Sequence, residues 1–87
     1  MGKTVIKFYA TWCGPCKVYG PIFDKVKQEL EGDIEFIDIN VENDLENLSG
    51  KYRVKGIPHT VLLEDQQEVK THSGRMTEEQ LKDFIFN

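Results

Sequence analysis

Cys13 and Cys16 are the only cysteines of the chain, and they stand in the run Trp12-Cys13-Gly14-Pro15-Cys16. Two thiols at this spacing have two main uses. They close into a reversible disulfide, or they supply part of a metal site. The thiolate is the nucleophile of disulfide exchange, so any feature that holds negative charge at the pair favours the first use. A structural zinc site needs four ligands, and the only histidines are His59 and His72, whose spacing matches no finger pattern. A metal or cluster shared between two chains, and a pair without a role, are the other readings of the same residues.

The elements that must hold the pair read clearly. Residues 4–10 (Thr-Val-Ile-Lys-Phe-Tyr-Ala) are β-branched and aromatic, the pattern of a strand buried on both faces, with Lys7 as its anomaly. From Cys13 to Leu30 the apolar residues Tyr19, Ile22, Phe23, Val26 and Leu30 recur at helical spacing. Lys25–Glu29 and Lys27–Glu31 are expected to pair along its exposed side. Pro21 is expected to kink this helix, and Gly32 to end it. The cysteines therefore sit where a buried strand hands over to a helix. A helix start offers unpaired N–H groups and the positive end of the macrodipole, which stabilise a thiolate. Cys13 is expected to be the exposed, more acidic thiol and Cys16, one turn in, the more buried one. Pro15 suits a first helical turn, and Gly14 leaves room for close approach at the tip.

Residues 34–41 read as a second strand. Asn43 with Glu46 resembles a capping box for a short helix carrying Leu45, Leu48 and Tyr52. Residues 60–63 give a third strand, Asp65-Gln66-Gln67 a turn, and residues 68–72 a fourth strand that Gly74 breaks. Thr77 with Gln80 is a second capping box, with Met76 and Leu81 as its hydrophobic staple, and Leu81, Phe84 and Ile85 form the buried stripe of the last helix. The order is β-α-β-α-β-β-α. It implies an α/β fold, a four-stranded mixed sheet flanked by three helices, with a parallel pair joined by a right-handed crossover and a closing hairpin.

With 87 residues the chain fits one domain, residues 1–87. Its net charge of −4, dispersed along the sequence, argues against nucleic acid as a partner. No apolar run approaches the roughly 18–20 residues of a membrane span. Met1 reads as a true start without a secretory signal, so a cytoplasmic location is expected. A secreted disulfide scaffold of this size usually carries four or more cysteines, which again points to redox or metal chemistry.

Ala10-Thr11-Trp12-Cys13-Gly14-Pro15-Cys16-Lys17 resembles the active-site segment of the thioredoxin family, and Lys55-Gly56-Ile57-Pro58 resembles its second signature. Pro21 and Gly74 match further family positions. The family pattern opens with an additional strand and helix, so this chain is similar to the minimal, glutaredoxin-sized version of the fold. The resemblance implies a thioredoxin-like fold and a protein disulfide reductase without cofactor or metal, monomeric and recharged by an external reductant of the thioredoxin reductase type. Cys13 would attack a substrate disulfide to form a mixed disulfide and Cys16 would resolve it. Trp12 would flank the site, Ile57 would offer its backbone to an extended substrate, Pro58 would follow a cis bond and hold that loop against Cys13, and Gly74 would line the substrate-facing side.

Two departures stand out. The family usually has a buried aspartate where Lys7 stands and a lysine where Asp38 stands, so the charges look exchanged. Either charge is costly to bury alone, and adjacent parallel strands would set them side by side, as an ion pair beneath Cys16. Lys7 would then favour the thiolate by attraction. In the family the buried carboxylate assists proton transfer at the resolving thiol, a task that Asp38 would take from the neighbouring strand. His59 follows Pro58 where threonine is common, a place from which it would titrate near neutral pH. Two other functions fit the same residues. A glutaredoxin-like, glutathione-dependent enzyme suits the small size but not Trp12, the Gly14-Pro15 pair or a single Gly74. A non-enzymatic binding module would use the same groove and leave the cysteines dispensable.

Overall fold

Alternation of apolar runs with helical spacing yields eight elements in a computed structural model that describes residues 2–87. Met1, read as a start, lies outside the described residues. The elements are β1 (Lys3–Tyr9), α1 (Gly14–Leu30), β2 (Ile34–Asn40), a 3-10 turn (Val41–Asn43), α2 (Leu48–Lys51), β3 (His59–Glu64), β4 (Gln67–Ser73) and α3 (Glu78–Phe86). The sheet order is β2-β1-β3-β4, with β1 parallel to β2 and antiparallel to β3, and β3 antiparallel to β4. The register between β3 and β4 shifts at Leu62/Leu63.

Strict alternation along β1 divides the core. Val5 faces α1 and α3 and packs with Tyr19, Phe23, Val26, Phe36, Leu62, Leu81 and Ile85. Ile6 and Phe8 face the other way, with Val61 and Leu63, under Leu48, Tyr52 and Val54. With both faces covered, β1 is apolar on both sides, which is why its sequence shows no polar face. Tyr19 is fully buried, and its hydroxyl shares a 2.8 Å hydrogen bond with Thr60 of β3. Burial pushes its phenol up to about 12, against the smaller opposing effect of the Thr60 bond.

The capping box of α3 forms as its sequence predicts. The Gln80 N–H donates to Thr77 Oγ1 (3.1 Å), and the Thr77 N–H donates to Gln80 Oε1 (2.9 Å). Met76 and Leu81, the expected staple, lie in the same buried cluster.

Three expectations are corrected. Asn43 and Glu46 form no capping box. Asp44 accepts the N–H groups of Leu48 (2.9 Å) and Ser49 (2.8 Å) instead, and the Ser49 contact leads in holding its carboxyl below the usual carboxylate range. The helix is a single turn, so its start lies beyond the reach of Asn43. Leu45, expected on its buried side, precedes it and is 93% exposed. The charges of α1 also pair across to α3 rather than along their own helix. Lys25 meets Glu78 at 3.2 Å and Glu29 meets Lys82 at 2.6 Å. The two helices lie side by side on one face of the sheet, so the partner helix offers the nearer opposite charge.

Candidate active site

The site is built at the junction of β1 and α1. Ala10 ends the buried strand run, and Cys13 is the N-cap of α1 in extended conformation (φ −87°, ψ 116°). Cys13 and Cys16 form a disulfide across a Cα–Cα distance of 5.2 Å. The Cys16 N–H donates to Cys13 Sγ at 3.2 Å, so the first of these sulfurs takes the position that an N-cap oxygen usually fills. Pro15 lies in the first turn, where its missing N–H leaves nothing unsatisfied. A Cβ on Gly14 would meet nothing within 4 Å, so its close-approach role finds no neighbour inside the chain.

Cys13 was expected to stand exposed, but it is only 6% exposed and Cys16 4%. The pair packs with Ala10, Tyr9, Val41 and Ile57, so the loop before β3 closes over the sulfurs. The Ile57 carbonyl oxygen lies 3.7 Å from Cys13 Sγ, within reach of the S–H of the reduced form. The Ile57–Pro58 bond is cis, and Pro58 is fully buried. The Gly74 N–H donates to the Pro58 carbonyl at 2.8 Å, which ties the end of β4 to this loop. Gly74 has φ +99°, a region that L side chains rarely adopt, so glycine is required there. Trp12 is 65% exposed, and together with Val41, Val54, Lys55, Gly56 and Ile57 it lines a shallow groove of about 230 Å³ beside the disulfide.

Lys7 and Asp38 are register partners on β1 and β2, and their charges meet at 3.3 Å (Nζ to Oδ1). The pair is lopsided. The Lys7 side chain is 7% exposed and that of Asp38 38%. The ammonium lies 5.1 Å from the Tyr9 ring centre and 4.9 Å from that of Phe23. Tyr9 touches both the cysteine cluster and this ammonium. It read only as a strand residue in sequence, and the one available signal was its place two positions after Lys7, on the same side of a strand.

His59 is buried on the opposite face of the sheet, with its ring 6.3 Å from that of Phe8. Its Nδ1 lies 3.1 Å from Ser73 Oγ, and its buried Nε2 has no hydrogen-bond partner among the described residues. Burial holds its pKa below the ordinary 6.5, with Glu68 opposing and His72 reinforcing the shift. The ring is thus harder to protonate in the folded state than in the unfolded chain, whose ordinary value is 6.5. The stabilising contribution is present above that pH and is lost as pH falls through it. In urea titrations, wild-type stability should drop more steeply between about pH 7 and about pH 5 than that of His59→Thr protein. Parallel slopes would remove His59 from the acid response.

No group of three or more His, Cys, Asp or Glu side chains able to hold a metal occurs among the described residues. No helix there is long and apolar enough to cross a membrane.

The family model described as Thioredoxin matches residues 1–87. The chain is 35% identical over 83 residues to a thioredoxin of Mycoplasmoides gallisepticum, covering 95% of this chain and 81% of the relative. It is 33% identical over 84 residues to a thioredoxin of Bacillus subtilis, covering 97% and 80%. The X-ray structure of Fasciola hepatica thioredoxin superimposes with a TM-score of 0.87 at 32% identity, over 97% of this chain and 78% of that one. A cysteine pair that closes at the start of α1 is what such a fold uses to exchange electrons with other disulfides, and the chain belongs to the thioredoxin family of dithiol–disulfide oxidoreductases.

Proposed function

We propose that the chain is a protein disulfide reductase, a single domain in which Cys13 attacks and Cys16 resolves. The observation that carries this reading is the N-cap position of Cys13, with the Cys16 N–H aimed at its sulfur at 3.2 Å. A thiolate on Cys13 keeps that N–H donor and gains the positive end of a 17-residue helix. The thiolate attacks one sulfur of a substrate disulfide, and the other sulfur leaves as a thiolate with the bonding pair. Cys16, as a thiolate, then attacks Cys13 Sγ. The mixed disulfide breaks, the second substrate sulfur leaves reduced, and two electrons have passed to the substrate.

The exposed indole of Trp12 and the groove beside it suit an apolar stretch of the substrate chain. Ile57 supplies backbone groups to such a segment, and Pro58 and Gly74 hold its loop in place. An external reductant restores the dithiol, and a thioredoxin reductase-type flavoenzyme is the partner we favour. We place the protein in the cytoplasm, since both cysteines are engaged at the redox site and none is left for a structural bridge, and we read it as a monomer.

Cys16→Ser protein tests the assignment of roles. Mixed with a disulfide substrate, it should accumulate a covalent adduct through Cys13 that survives denaturing electrophoresis and disappears on reduction. An adduct through Cys16 in Cys13→Ser protein, with none in Cys16→Ser, would reverse the two roles.

A further inference from the structure

Burying an ammonium is costly, and Lys7 is a strand residue whose side chain enters the core beneath α1. A Cβ on Gly20 would lie 3.8 Å from Lys7 Nζ, so α1 passes directly over the charge. Gly20 and Cys16 are four residues apart on the same helix face, where side-chain origins are about 5–6 Å apart. The ammonium is therefore within about 10 Å of the Cys16 side chain, and the Tyr9 ring touches both the charge and the cysteine cluster.

The ion pair does not cancel this charge. Asp38 is 38% exposed against 7% for Lys7, so water screens the carboxylate more than the ammonium. The ammonium is thus the less screened charge of the pair on the side that faces α1. The other carboxylates near the pair, Asp24 on α1 and Glu42 after β2, are exposed and screened by water. Tyr19 of α1 stays neutral up to about 12, with its hydroxyl on Thr60. Tyr9 is a phenol. Lys17 on α1 and Lys55 before Ile57 are exposed cations of the same sign, and His59 lies on the far side of the sheet.

We propose that Lys7 is a positioning residue for the resolving step: its buried ammonium holds Cys16 as the thiolate, and Asp38 moderates that field instead of accepting the proton. The proposal rests on Cys16 being the resolving thiol. Cys16 S–H releases its proton to solvent before the attack. The thiolate forms the bond to Cys13 Sγ, the bond from Cys13 to the substrate sulfur breaks, and that sulfur leaves with the electron pair and takes up a proton from water. A fixed cation thus does by attraction what a base would do by transfer, and the step needs no group that must recover its charge between turnovers.

The test uses reduced full-length protein carrying Cys13→Ser, in which Cys16 is the only thiol, with its thiolate ultraviolet absorbance followed against pH. Adding Lys7→Met should raise the titration midpoint by about one pH unit. Lys7→Arg should leave it nearly in place, because the charge is kept. Asp38→Asn should lower it, because the moderating carboxylate is gone. In protein with both cysteines, Asp38→Asn should keep insulin disulfide reduction within about two-fold, with the acid limb of its pH profile moved to lower pH. An unmoved midpoint in Lys7→Met, or a loss of ten-fold or more in Asp38→Asn, overturns the proposal, the second result making Asp38 the base. If Lys7→Met protein does not fold, the direction of the Asp38→Asn shift decides. A wild-type chain that reduces no insulin would sink the reductase reading instead, and leaves the titrations interpretable on their own.

Discussion

Cys13→Ser protein should reduce insulin disulfides about a thousand-fold more slowly than wild type, or not at all. Serine at the N-cap preserves the helix start, since a hydroxyl oxygen accepts the Cys16 N–H at least as well as sulfur does. The fold therefore survives and the chemistry does not. A hydroxyl is essentially un-ionised at neutral pH, and an oxygen in place of Sγ forms no mixed disulfide for Cys16 to resolve. Cys16 is a poor substitute because it lies inside the first turn and lacks the N-cap position, where Cys13 Sγ accepts a backbone N–H. The assay is run with a thioredoxin reductase system and, separately, with glutathione as the electron source. Turnover with glutathione alone would place the protein among glutathione-served enzymes. Turnover that survives in Cys13→Ser would remove the central claim.

Phe23→Ala is expected to cause the largest loss of stability. Phe23 is fully buried between two edge-on neighbours, with ring centres 6.0 Å from Tyr19 and 5.5 Å from Phe36. Removing a buried phenylalanine ring costs about 3–5 kcal/mol. A domain of this length has roughly 4–13 kcal/mol in total. The midpoint of thermal unfolding, followed by circular dichroism, should fall by about 15 °C or more. The ring also lies 4.9 Å from the Lys7 ammonium, so its loss opens a path for water to the buried charge. A fall of less than about 5 °C would mean that α1 and the sheet re-close over the gap.

Much of this architecture was legible in the sequence because local and long-range signals agree there. β1 and β3 are apolar on both faces, and both faces are covered. The apolar spacing of α1 matches the residues it buries, Tyr19, Phe23 and Val26. The capping box at Thr77 is a purely local device, so tertiary structure had little power to alter it. The misreadings lie where partners come from elsewhere in the chain. Leu45 has the right spacing for the α2 stripe, but α2 is a single turn that Asp44 starts and Leu45 precedes. Glu29 has Lys25 four residues away, yet meets Lys82, because helix packing sets that choice and spacing does not. By contrast, the turn read at Asp65-Gln66-Gln67 is present, and Asp65 and Gln66 join β3 to β4 with φ of +53° and +73°, a conformation that Asp tolerates better than Gln.

At the site, the cysteines, Pro58 and Gly74 are recognisable as a motif, and the Lys7–Asp38 register follows from two adjacent parallel strands. The burial of Cys13 was not legible. It depends on how closely the Ile57 loop folds back, and that distance is fixed by the Gly74–Pro58 hydrogen bond at the far end of β4.

β4 has a further consequence for the life of the protein at high concentration. It is an outer strand of the sheet, so one side of its backbone is free to pair with a strand from another molecule, the geometry from which fibres and aggregates grow. The register shift at Leu62/Leu63 distorts the ladder at mid-strand, and Glu68 and Lys70 flank the exposed Val69 with opposite charges. A second copy must match an irregular, charged edge to add to it. Resistance to self-association is thus written into the same strand whose end positions the loop over the disulfide.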